Sequence, residues 1–323
     1  MTPLVSAIIP TYNRADLLAR ALDSIVAQDH RPLEAVVIDD GSTDHTAEVI
    51  ASYAPRLADE QIRLIFHQQS NARAPRARNV GMKLATGSIY AFLDSDDLWL
   101  PRFVSTLLHL LDQHPTAGLA FCGMLIIDAN DRPWRIRPTG LPPHPSQGLL
   151  IRPFESILRH MPLQTSGIML RRSVIADLGD FDLNLPVVED WDLWYRIAKK
   201  YDFAYTLENL ACNRSHPDNL PKYDHIALGS SLRMNLKHLP DVRDPEIRQM
   251  LIERIHNQST LLQEELLRHG HCSNGSSHLL LHDLAPQTPR YLLGSMISAG
   301  PPWLGRSYAW MVRVLGEIAR NTP

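Results

Sequence analysis

The stretch Ile89-Tyr90-Ala91-Phe92-Leu93 is followed at once by Asp94-Ser95-Asp96-Asp97. The apolar run predicts a buried strand, which leaves three carboxylates at its carboxyl end. Carboxylates this close repel one another, and each costs free energy to remove from water. A divalent cation such as Mg²⁺ or Mn²⁺ would resolve the conflict because it prefers hard oxygen ligands. A cation held by one or two carboxylates usually also binds phosphates, which predicts a nucleoside diphosphate site; an acidic turn that caps the next helix is the structural alternative.

Upstream of this stretch, apolar runs that predict strands alternate with segments of helical periodicity. Strands are predicted at residues 5–10, 33–39, 62–66 and 89–93, and helices at residues 15–28, 41–50 and 77–85. Such alternation predicts an α/β fold, in which a mostly parallel sheet is covered by helices on both faces. Ligands of these sheets bind beyond the carboxyl ends of the strands, so we expect Tyr12-Asn13, Asp39-Asp40 and residues 94–97 to converge.

Composition and charge exclude several classes of protein. The chain has 323 residues, of which 44% are hydrophobic and 21% charged, an ordinary globular balance. Its net charge of −3 argues against binding to nucleic acid. Cys122, Cys212 and Cys272 are far apart and lack the spacing of a zinc site, so we expect a reduced, cytoplasmic setting.

We expect any contact with a membrane to be peripheral, at its inner face. The amino terminus lacks the pattern of a signal peptide, and the longest apolar stretch, residues 119–127, is too short to span a bilayer. We predict two domains, residues 1–223 and a helical C-terminal extension over residues 224–323. Near its end, residues 303–320 predict a helix of aromatic residues and arginines, which either lies on a membrane surface or packs on the domain.

The middle of the chain is less regular. Residues 133–153 are rich in proline with arginines between, which predicts a long loop. A short strand is predicted at residues 165–170, and helices at residues 190–199 and 246–268.

Five motifs occur in an order that is specific jointly, although each is weak alone. They are residues 5–14, residues 37–44, Ala77-Arg78-Asn79-Val80-Gly81, residues 93–97 and Glu189-Asp190-Trp191-Asp192-Leu193-Trp194. With these motifs, residues 5–216 resemble the family 2 glycosyltransferases, which have the GT-A fold. The resemblance implies an inverting transfer of a sugar from a UDP- or dTDP-sugar to an acceptor hydroxyl, with Mg²⁺ or Mn²⁺ as the cofactor.

The resemblance also implies that residues after the first two strands bind the nucleotide. Asp40 would accept the imide N–H of a uracil or thymine base in a charge-assisted hydrogen bond, unless it caps the following helix instead. Tyr12 would pack on the base, while Pro10 and Thr11 would shape the pocket through their backbone.

The resemblance further implies that two arginines and a histidine lie near the phosphates of the donor. Arg14 would neutralise phosphate, or else be a solvated arginine at the start of a helix. Arg78 would contact the diphosphate, pair with a carboxylate of residues 94–97, or do both. His216 lies where relatives carry a histidine loop that closes on the donor; a lone surface histidine is the alternative.

Within the acidic loop, which we define as residues 94–97, the resemblance points to Asp97 as the direct metal ligand. Asp96 and Asp94 would bind sugar or ribose hydroxyls, or the metal through water, and Asp96 is a second candidate ligand. Family motifs of the forms D-x-D and D-D both fit, so the carboxylate that touches the metal stays open. The metal would offset charge on the departing nucleoside diphosphate.

Glu189 and Asp190 form a second acidic pair. Inverting transfer needs a general base for the acceptor hydroxyl, and the resemblance implies Asp190 in this role, with Glu189 orienting it or binding the acceptor. Alternatively, Asp190 caps the helix that follows it. Trp191 and Trp194 share a face of that helix and are predicted to be core residues.

Two other functions are compatible with parts of the sequence. A D-x-D phosphotransferase would use Asp94 as its nucleophile, but Asp40 and Asp190 would then have no role. A non-catalytic protein that binds sugar nucleotides is the second alternative, although every acidic motif is present. The donor sugar and acceptor have no sequence signature, and we expect the acceptor to be a bacterial surface polysaccharide or a lipid-linked glycan.

Overall fold

The computed structural model describes residues 2–215 and 225–268. The chain divides into two compact units: Met1–Leu183 with Glu189–Leu220, called the sheet unit here, and Asn184–Val188 with Pro221–Pro323, the helical unit. The predicted helix at residues 303–320, Cys272 and His216 all lie outside the described residues. The predicted domain boundary between residues 223 and 224 stays a prediction.

The sheet unit contains ten described strands and seven α-helices. The strands are Val5–Thr11 (β1), Leu33–Asp39 (β2), Ile62–Gln68 (β3), Ile89–Phe92 (β4), Leu98–Trp99 (β5), Ala117–Ile127 (β6), Pro133–Ile136 (β7), Gln147–Leu150 (β8), Ile168–Arg171 (β9) and Asp202–Arg214 (β10). The helices are Ala15–Val26 (α1), Thr46–Asp59 (α2), Arg73–Leu84 (α3), Phe103–Gln113 (α4), Phe154–Arg159 (α5), Arg172–Leu178 (α6) and Glu189–Lys200 (α7). The predicted elements of the first hundred residues are confirmed, although α2 begins later and α3 earlier than expected.

All ten strands belong to one sheet of order β3-β2-β1-β4-β9-β6-β10-β5, with β7 paired to β6 and β8 to β10. β1, β2, β3 and β4 are parallel to one another. β9 is antiparallel to both of its neighbours, so β6 and β10 share the direction of the first four strands. Six of the ten strands therefore point the same way, and the predicted α/β class with a mostly parallel sheet is confirmed.

Strand β1 shows why helices are needed on both faces of the sheet. Val5, Ala7 and Ile9 pack into a core cluster with residues of α1, α2 and α4. Ile8 points to the opposite face, where a Cβ atom added to Gly81 of α3 would lie 2.6 Å from its Cγ2 atom. Since both faces are buried, the strand is an unbroken apolar run rather than an alternating one.

Helix α3 also fixes the segment that leads into α7. Asn79 Nδ2 donates to the Phe181 carbonyl over 2.9 Å, and the Phe181 N–H donates to Asn79 Oδ1 over 3.0 Å. The Phe181 ring packs edge-on against Phe92 and Trp194, at centroid distances of 5.4 and 6.2 Å. Trp194 is fully buried, as predicted, whereas Trp191 is only partly buried.

A buried carboxylate organises the opposite, amino-terminal end of the parallel strands. Glu34 accepts hydrogen bonds from Ser6 Oγ and from the N–H and Oγ1 of Thr86, over 2.6–2.7 Å. Burial alone would raise the pKa of Glu34, but these hydrogen bonds together lower it below the ordinary range.

The prediction of one long loop at residues 133–153 is wrong in part. β7 pairs with β6, and β8 pairs with β10. Residues 133–153, called the excursion here, therefore join the sheet at two places. Both strands escape a pattern search because they are short and lie in a proline-rich stretch, and β7 is also exposed, with Trp134 and Ile136 facing solvent. The strand predicted at residues 165–170 begins with a 3-10 turn, Thr165–Gly167, before β9.

In the helical unit, the described residues form His225–His238 (α8), a 3-10 turn at Leu239–Asp241, and Pro245–Arg268 (α9). Leu251 and Ile255 of α9 are buried, and Asn235 Nδ2 of α8 donates to Gln258 Oε1 over 2.8 Å. Across the part of the chain that the structure describes, no helix is both long and apolar enough to cross a membrane.

Candidate active site

A cavity of about 480 Å³ lies where β1, β2 and β4 end. This edge of the sheet is where parallel strands direct their carboxyl ends, as expected for a ligand site in an α/β fold. The cavity is lined by Pro10, Thr11, Tyr12, Arg14, Asp40, Ala74, Ala77, Arg78, Asp94, Ser95, Asp96, Asp97, Arg137, Gln164 and Asn213.

Asp40 follows β2 and is buried in the cavity wall. Its N–H donates to the Thr11 carbonyl over 2.8 Å, which joins β2 to β1. Its Oδ1 atom accepts from Gln69 Nε2 over 2.7 Å and from the Ala72 N–H over 2.9 Å. Asp40 therefore supports the chain before α3 rather than capping α2, and the described residues give its Oδ2 atom no hydrogen-bond partner.

Tyr12 lies on the rim of the cavity with 46% of its surface exposed. The next residue, Asn13, has a φ of +49°, in the left-handed region where asparagine is tolerated. Its N–H donates to Ser42 Oγ over 2.9 Å, and its Oδ1 accepts from the Thr43 N–H over 2.7 Å. These bonds tie the loop after β1 to the loop after β2, which fixes the Tyr12 side of the cavity.

Arg78 bridges the two acidic motifs. Its guanidinium donates to Asp94 Oδ1 and to Glu189 Oε1, each over 2.6 Å, and lies 5.6 Å from the Phe181 ring centroid. Burial alone would lower the pKa of Arg78, but Asp94 and Glu189 raise it above the ordinary value. Arg78 is thus permanently charged and holds α7 against the acidic loop.

Arg14 pairs with a second carboxylate of the acidic loop. Its Nη1 atom lies 2.5 Å from Asp96 Oδ2. Asp96 is buried, whereas about a third of the Arg14 side chain is exposed. The alternative of a merely solvated arginine at the helix start does not hold, since Arg14 faces the cavity and pairs with Asp96, while its expected role at phosphate stays a prediction.

Asp97 is the most enclosed carboxylate of the acidic loop. Its Oδ2 atom accepts from Ser166 Oγ over 2.6 Å, while its Oδ1 atom accepts from Asn213 Nδ2 over 3.2 Å and from the Arg214 N–H over 2.9 Å. Burial, followed by the charges of Asp96 and Asp94, raises the pKa of Asp97 to about 8. A nearby cation would relieve this unfavourable concentration of negative charge.

The acidic loop is held by groups from the far half of the sheet, which comprises β5 to β10. Arg214, buried at the end of β10, donates through Nε to the Asp96 carbonyl and through Nη1 to the Asp128 carbonyl, each over 2.9 Å. Ser166 Oγ accepts from the Asp94 N–H over 3.1 Å. These contacts preorganise the loop, because its backbone is bonded on both sides.

Mg²⁺ and Mn²⁺ prefer hard oxygen ligands, which the carboxylates of the acidic loop could supply. Within residues 2–215 and 225–268, no three His, Cys, Asp or Glu side chains are grouped as a preformed metal cage. Asp94 and Asp96 point to arginines, and Asp97 points to Ser166. The hard oxygen donors nevertheless fit such ions, which proteins commonly hold through one or two carboxylates plus phosphates. The residues therefore suit a metal that binds together with a diphosphate.

Glu189 and Asp190 begin α7, beside the cavity but outside its lining. Asp190 Oδ2 accepts from Thr165 Oγ1 over 2.9 Å, and its Oδ1 accepts from the Trp191 N–H over 2.8 Å. Burial raises the pKa of Asp190 above its ordinary value, and burial raises that of Glu189 to about 7 against the opposing charge of Arg78. Thr165 is adjacent to Ser166, so this pair and Asp97 share one supporting turn.

Most of the predicted site residues come together. Those that line the cavity are Pro10, Thr11, Tyr12, Arg14, Asp40, Arg78, Asp94, Asp96 and Asp97. Glu189 and Asp190 are connected to them through Arg78 and through the Thr165 turn. His216 is not among the described residues, so its predicted role stays a prediction.

Sequence reasoning missed three polar residues of the cavity wall: Arg137, Gln164 and Asn213. Arg137 is one of the arginines in the proline-rich stretch at residues 133–153, for which the sequence predicts only a loop. Gln164 and Asn213 belong to none of the five motifs, so the sequence carries no signal that would have found them.

The fold and the cavity define an α/β protein whose ligand site, rich in carboxylates and guanidinium groups, lies at the carboxyl ends of its strands. The family model described as "Glycosyl transferase family 2" matches residues 6–179, more than half of the chain. The chain therefore belongs to the family 2 glycosyltransferases, and membership favours glycosyl transfer over the phosphotransferase alternative.

Individual relatives agree with this assignment. An uncharacterized glycosyltransferase of Nostoc sp. is 34% identical over 233 residues, which cover 70% of this chain and 68% of that protein. The chain spans about two thirds of the length of the curated relatives matched first.

Two solved structures share the fold. The crystal structure of S. aureus TarS 1–349 in complex with UDP-GlcNAc has a TM-score of 0.63 and 19% identity, and covers 98% of this chain and 90% of that one. The mannosyltransferase PcManGT from Pyrobaculum calidifontis, in complex with GDP-Man and Mn²⁺, has a TM-score of 0.59 and 20% identity over 99% of this chain and 87% of its own. The predicted GT-A fold is thereby confirmed.

Proposed function

We propose that this protein transfers a sugar from a UDP- or dTDP-sugar to an acceptor hydroxyl, with inversion at the sugar carbon and with help from Mg²⁺ or Mn²⁺. One observation carries the proposal: a single cavity joins Asp40 at the end of β2 to Arg78 and the acidic loop at the end of β4. The family assignment supports the reaction type, and the TarS and PcManGT structures, which are complexes with UDP-GlcNAc and GDP-Man, support a nucleotide-sugar donor.

The nucleoside would bind between Tyr12 and Asp40. The Oδ1 atom of Asp40 already has two N–H donors, while its Oδ2 atom has none among the described residues. A uracil or thymine imide N–H can therefore bind Oδ2 in a charge-assisted hydrogen bond. The exposed ring of Tyr12 would cover the base, and Pro10 and Thr11 would line the pocket beneath it.

The diphosphate would lie along Arg14, Arg78 and the acidic loop. Asp97 would hold the metal, with Asp96 as a second ligand and Asp94 on the sugar or ribose hydroxyls. When bound, Mg²⁺ or Mn²⁺ supplies Lewis-acid stabilisation of the negative charge that develops on the leaving group. The ion pairs of Arg14 with Asp96 and of Arg78 with Asp94 hold both arginines beside the acidic loop, where the diphosphate would lie.

Asp190 would act as the general base. It would take the proton of the acceptor hydroxyl while that oxygen forms a bond to the sugar carbon and the bond from this carbon to the phosphate oxygen breaks. The hydrogen bonds from Thr165 and from the Trp191 N–H orient its carboxylate. A raised pKa suits a base that works near neutral pH, because it increases the affinity for the transferred proton. Glu189 would hold Arg78 and contribute to the acceptor side.

For the acceptor we propose a bacterial surface polysaccharide or a lipid-linked glycan, with the enzyme in the cytoplasm or peripherally at the inner face of the membrane. In this proposal residues 1–223 act as the transferase domain, and residues 224–323 as a helical extension. His216 would contact the donor phosphates.

Thermal unfolding with a panel of nucleoside diphosphates, with and without Mn²⁺, tests the donor side of this proposal. Binding to the native state raises the unfolding temperature by mass action, so UDP or dTDP with Mn²⁺ should give the largest increase. A second assay follows the slow hydrolysis of UDP-sugars. Hydrolysis that persists at full rate in EDTA, or a panel in which neither UDP nor dTDP stabilises the protein, would overturn the proposed donor chemistry.

A further inference from the structure

The three arginines in the cavity wall differ in their partners. Arg14 and Arg78 both form ion pairs with carboxylates over 2.5–2.6 Å. Arg137 has no carboxylate within ion-pair distance among the described residues. Its one side-chain partner there is Asn213 Oδ1, which accepts from Nη1 over a long 3.3 Å. The cavity thus contains one guanidinium group whose charge is not matched by a direct counter-ion.

The position of Arg137 is set by its backbone. It directly follows β7, and its N–H donates to the Met124 carbonyl over 2.9 Å, which continues the pairing of β7 with β6. Arg135, two residues earlier, is exposed and does not line the cavity. The end of β7 therefore brings Arg137 to the cavity wall, while Arg135, on the strand itself, stays in solvent.

The surroundings of Arg137 favour an anionic ligand. Its side chain is half-buried, and burial lowers its pKa against the smaller, opposing effect of the Asp97 charge, because a cation that loses water is destabilised unless an anion matches it closely. Asn213, which contacts Arg137 through Oδ1, also donates to Asp97 Oδ1 over 3.2 Å. Only the side chain of Asn213 therefore separates Arg137 from Asp97, the proposed metal ligand. A guanidinium group is suited to such a place because its planar donors match phosphate oxygens.

We propose that Arg137 is a further donor-site residue, which binds the diphosphate of the nucleotide sugar on the side of the cavity formed by Asn213. It would contact phosphate oxygens directly and stabilise the negative charge that remains on the nucleoside diphosphate after the bond to the sugar carbon breaks. The proposal rests on the proposed function, since it requires that a diphosphate occupies this cavity. It adds an arginine that none of the five motifs contains.

Thermal unfolding of the 323-residue chain with UDP and with uridine, in the presence of Mn²⁺, tests this role. Arg137→Gln should reduce the affinity for UDP by about tenfold or more, the usual effect of losing a hydrogen bond between charged groups, and should leave the stabilisation by uridine unchanged. Arg137→Lys should recover part of the UDP affinity because it restores the charge. Arg135→Gln is the matched control, which removes the same charge two residues earlier, on β7, and should behave as the wild-type protein.

Three outcomes separate the explanations. If Arg137→Gln keeps the full stabilisation by UDP, the residue does not bind the diphosphate. If stabilisation by UDP and by uridine falls equally, Arg137 has a structural role through Asn213, and the proposal is again overturned. If the wild-type protein responds to neither UDP nor dTDP, the proposed donor chemistry itself fails, which is a different result from a response that only Arg137→Gln lacks.

Discussion

The two halves of the sheet contribute to the site in different ways. In the parallel half, β1 to β4, the site residues follow directly after buried strands, as Tyr12, Asp40 and Asp94 do. In the far half, Ser166, Asn213 and Arg137 come from a 3-10 turn, a long strand and an excursion. The first half supplies groups at positions that any parallel sheet provides, whereas the second half holds and surrounds those groups. Substitutions in the two halves should therefore affect different steps.

The largest effect is expected for Asp190→Asn, at the start of α7. Loss of a general base should lower kcat by about 10²–10⁴-fold, while the affinity for UDP stays close to that of the wild-type protein. Steady-state transfer assays and thermal unfolding with UDP measure the two quantities separately. Asp59→Asn, the same change at an exposed position on α2, is the control. An unchanged kcat would remove Asp190 from the mechanism.

The pH dependence of the same step has a defined sign. Burial raises the pKa of Asp190, and a base works only when deprotonated, so kcat/KM should fall as the pH drops through this raised pKa. The decline should begin above the pH range near 4 in which an ordinary aspartate titrates. A rate that stays constant down to that range would contradict a raised pKa of the base.

A smaller effect is expected for Asp40→Asn, at the end of β2. The amide keeps an acceptor for Gln69 and the Ala72 N–H but replaces the second oxygen with a donor, which opposes the imide N–H of the base. Affinity for UDP should fall by about ten- to hundredfold, or about 1.5–3 kcal/mol. Titration calorimetry with UDP and with pyrophosphate checks this, since pyrophosphate lacks the base and should bind unchanged. If both ligands weaken equally, Asp40 only supports the loop.

Gly81→Ala tests how closely α3 must pack against β1 for the protein to keep its stability. The added Cβ would meet Ile8 Cγ2 at 2.6 Å, and α3 carries both Arg78 and the Asn79 contact to Phe181. Overpacking of this kind should lower the free energy of unfolding by about 1–3 kcal/mol. Chemical denaturation measures the loss, and Arg76→Ala, at an exposed position on the same helix, should change stability by no more than about 0.5 kcal/mol. Equal stability of the two variants would show that Ile8 can move aside.

The smallest effect is expected at the amino-terminal end of the strands, remote from the cavity. The pKa of Glu34 is lowered in the folded state, so its ionised form stabilises the protein above the unfolded-state pKa of about 4.3, and this stabilisation is lost as the pH falls through the lower folded-state pKa. Glu34→Gln should therefore cost about 1 kcal/mol at neutral pH and less at acidic pH. Denaturation of both proteins across this pH range measures the difference. A constant difference at all pH values would contradict a lowered pKa.

The site residues of the parallel half could be predicted from the sequence, whereas those of the far half could not. Asp40 and the acidic loop could be predicted because each comes after an apolar run whose direction in a parallel sheet is known. Arg137 and Asn213 could not, because their places depend on the antiparallel pairing of β7 with β6 and on the long strand β10, both of which lack a short-range signal. An ion pair of Arg78 with the acidic loop was among the expected alternatives, whereas the ion pair of Arg14 with Asp96 was not, because the partner of each arginine depends on packing.

The sequence by itself determined the α/β class, the order of the strands that begin the chain, and the chemical identity of the groups at their ends. Hydrophobic periodicity and short motifs are local properties, so they can be read without coordinates. The tertiary structure alone decided that Arg78 joins Asp94 to Glu189, that Ser166 and Asn213 hold Asp97, and that Arg137 faces the cavity. These contacts join residues far apart in the chain, and only the completed sheet brings them within hydrogen-bonding distance.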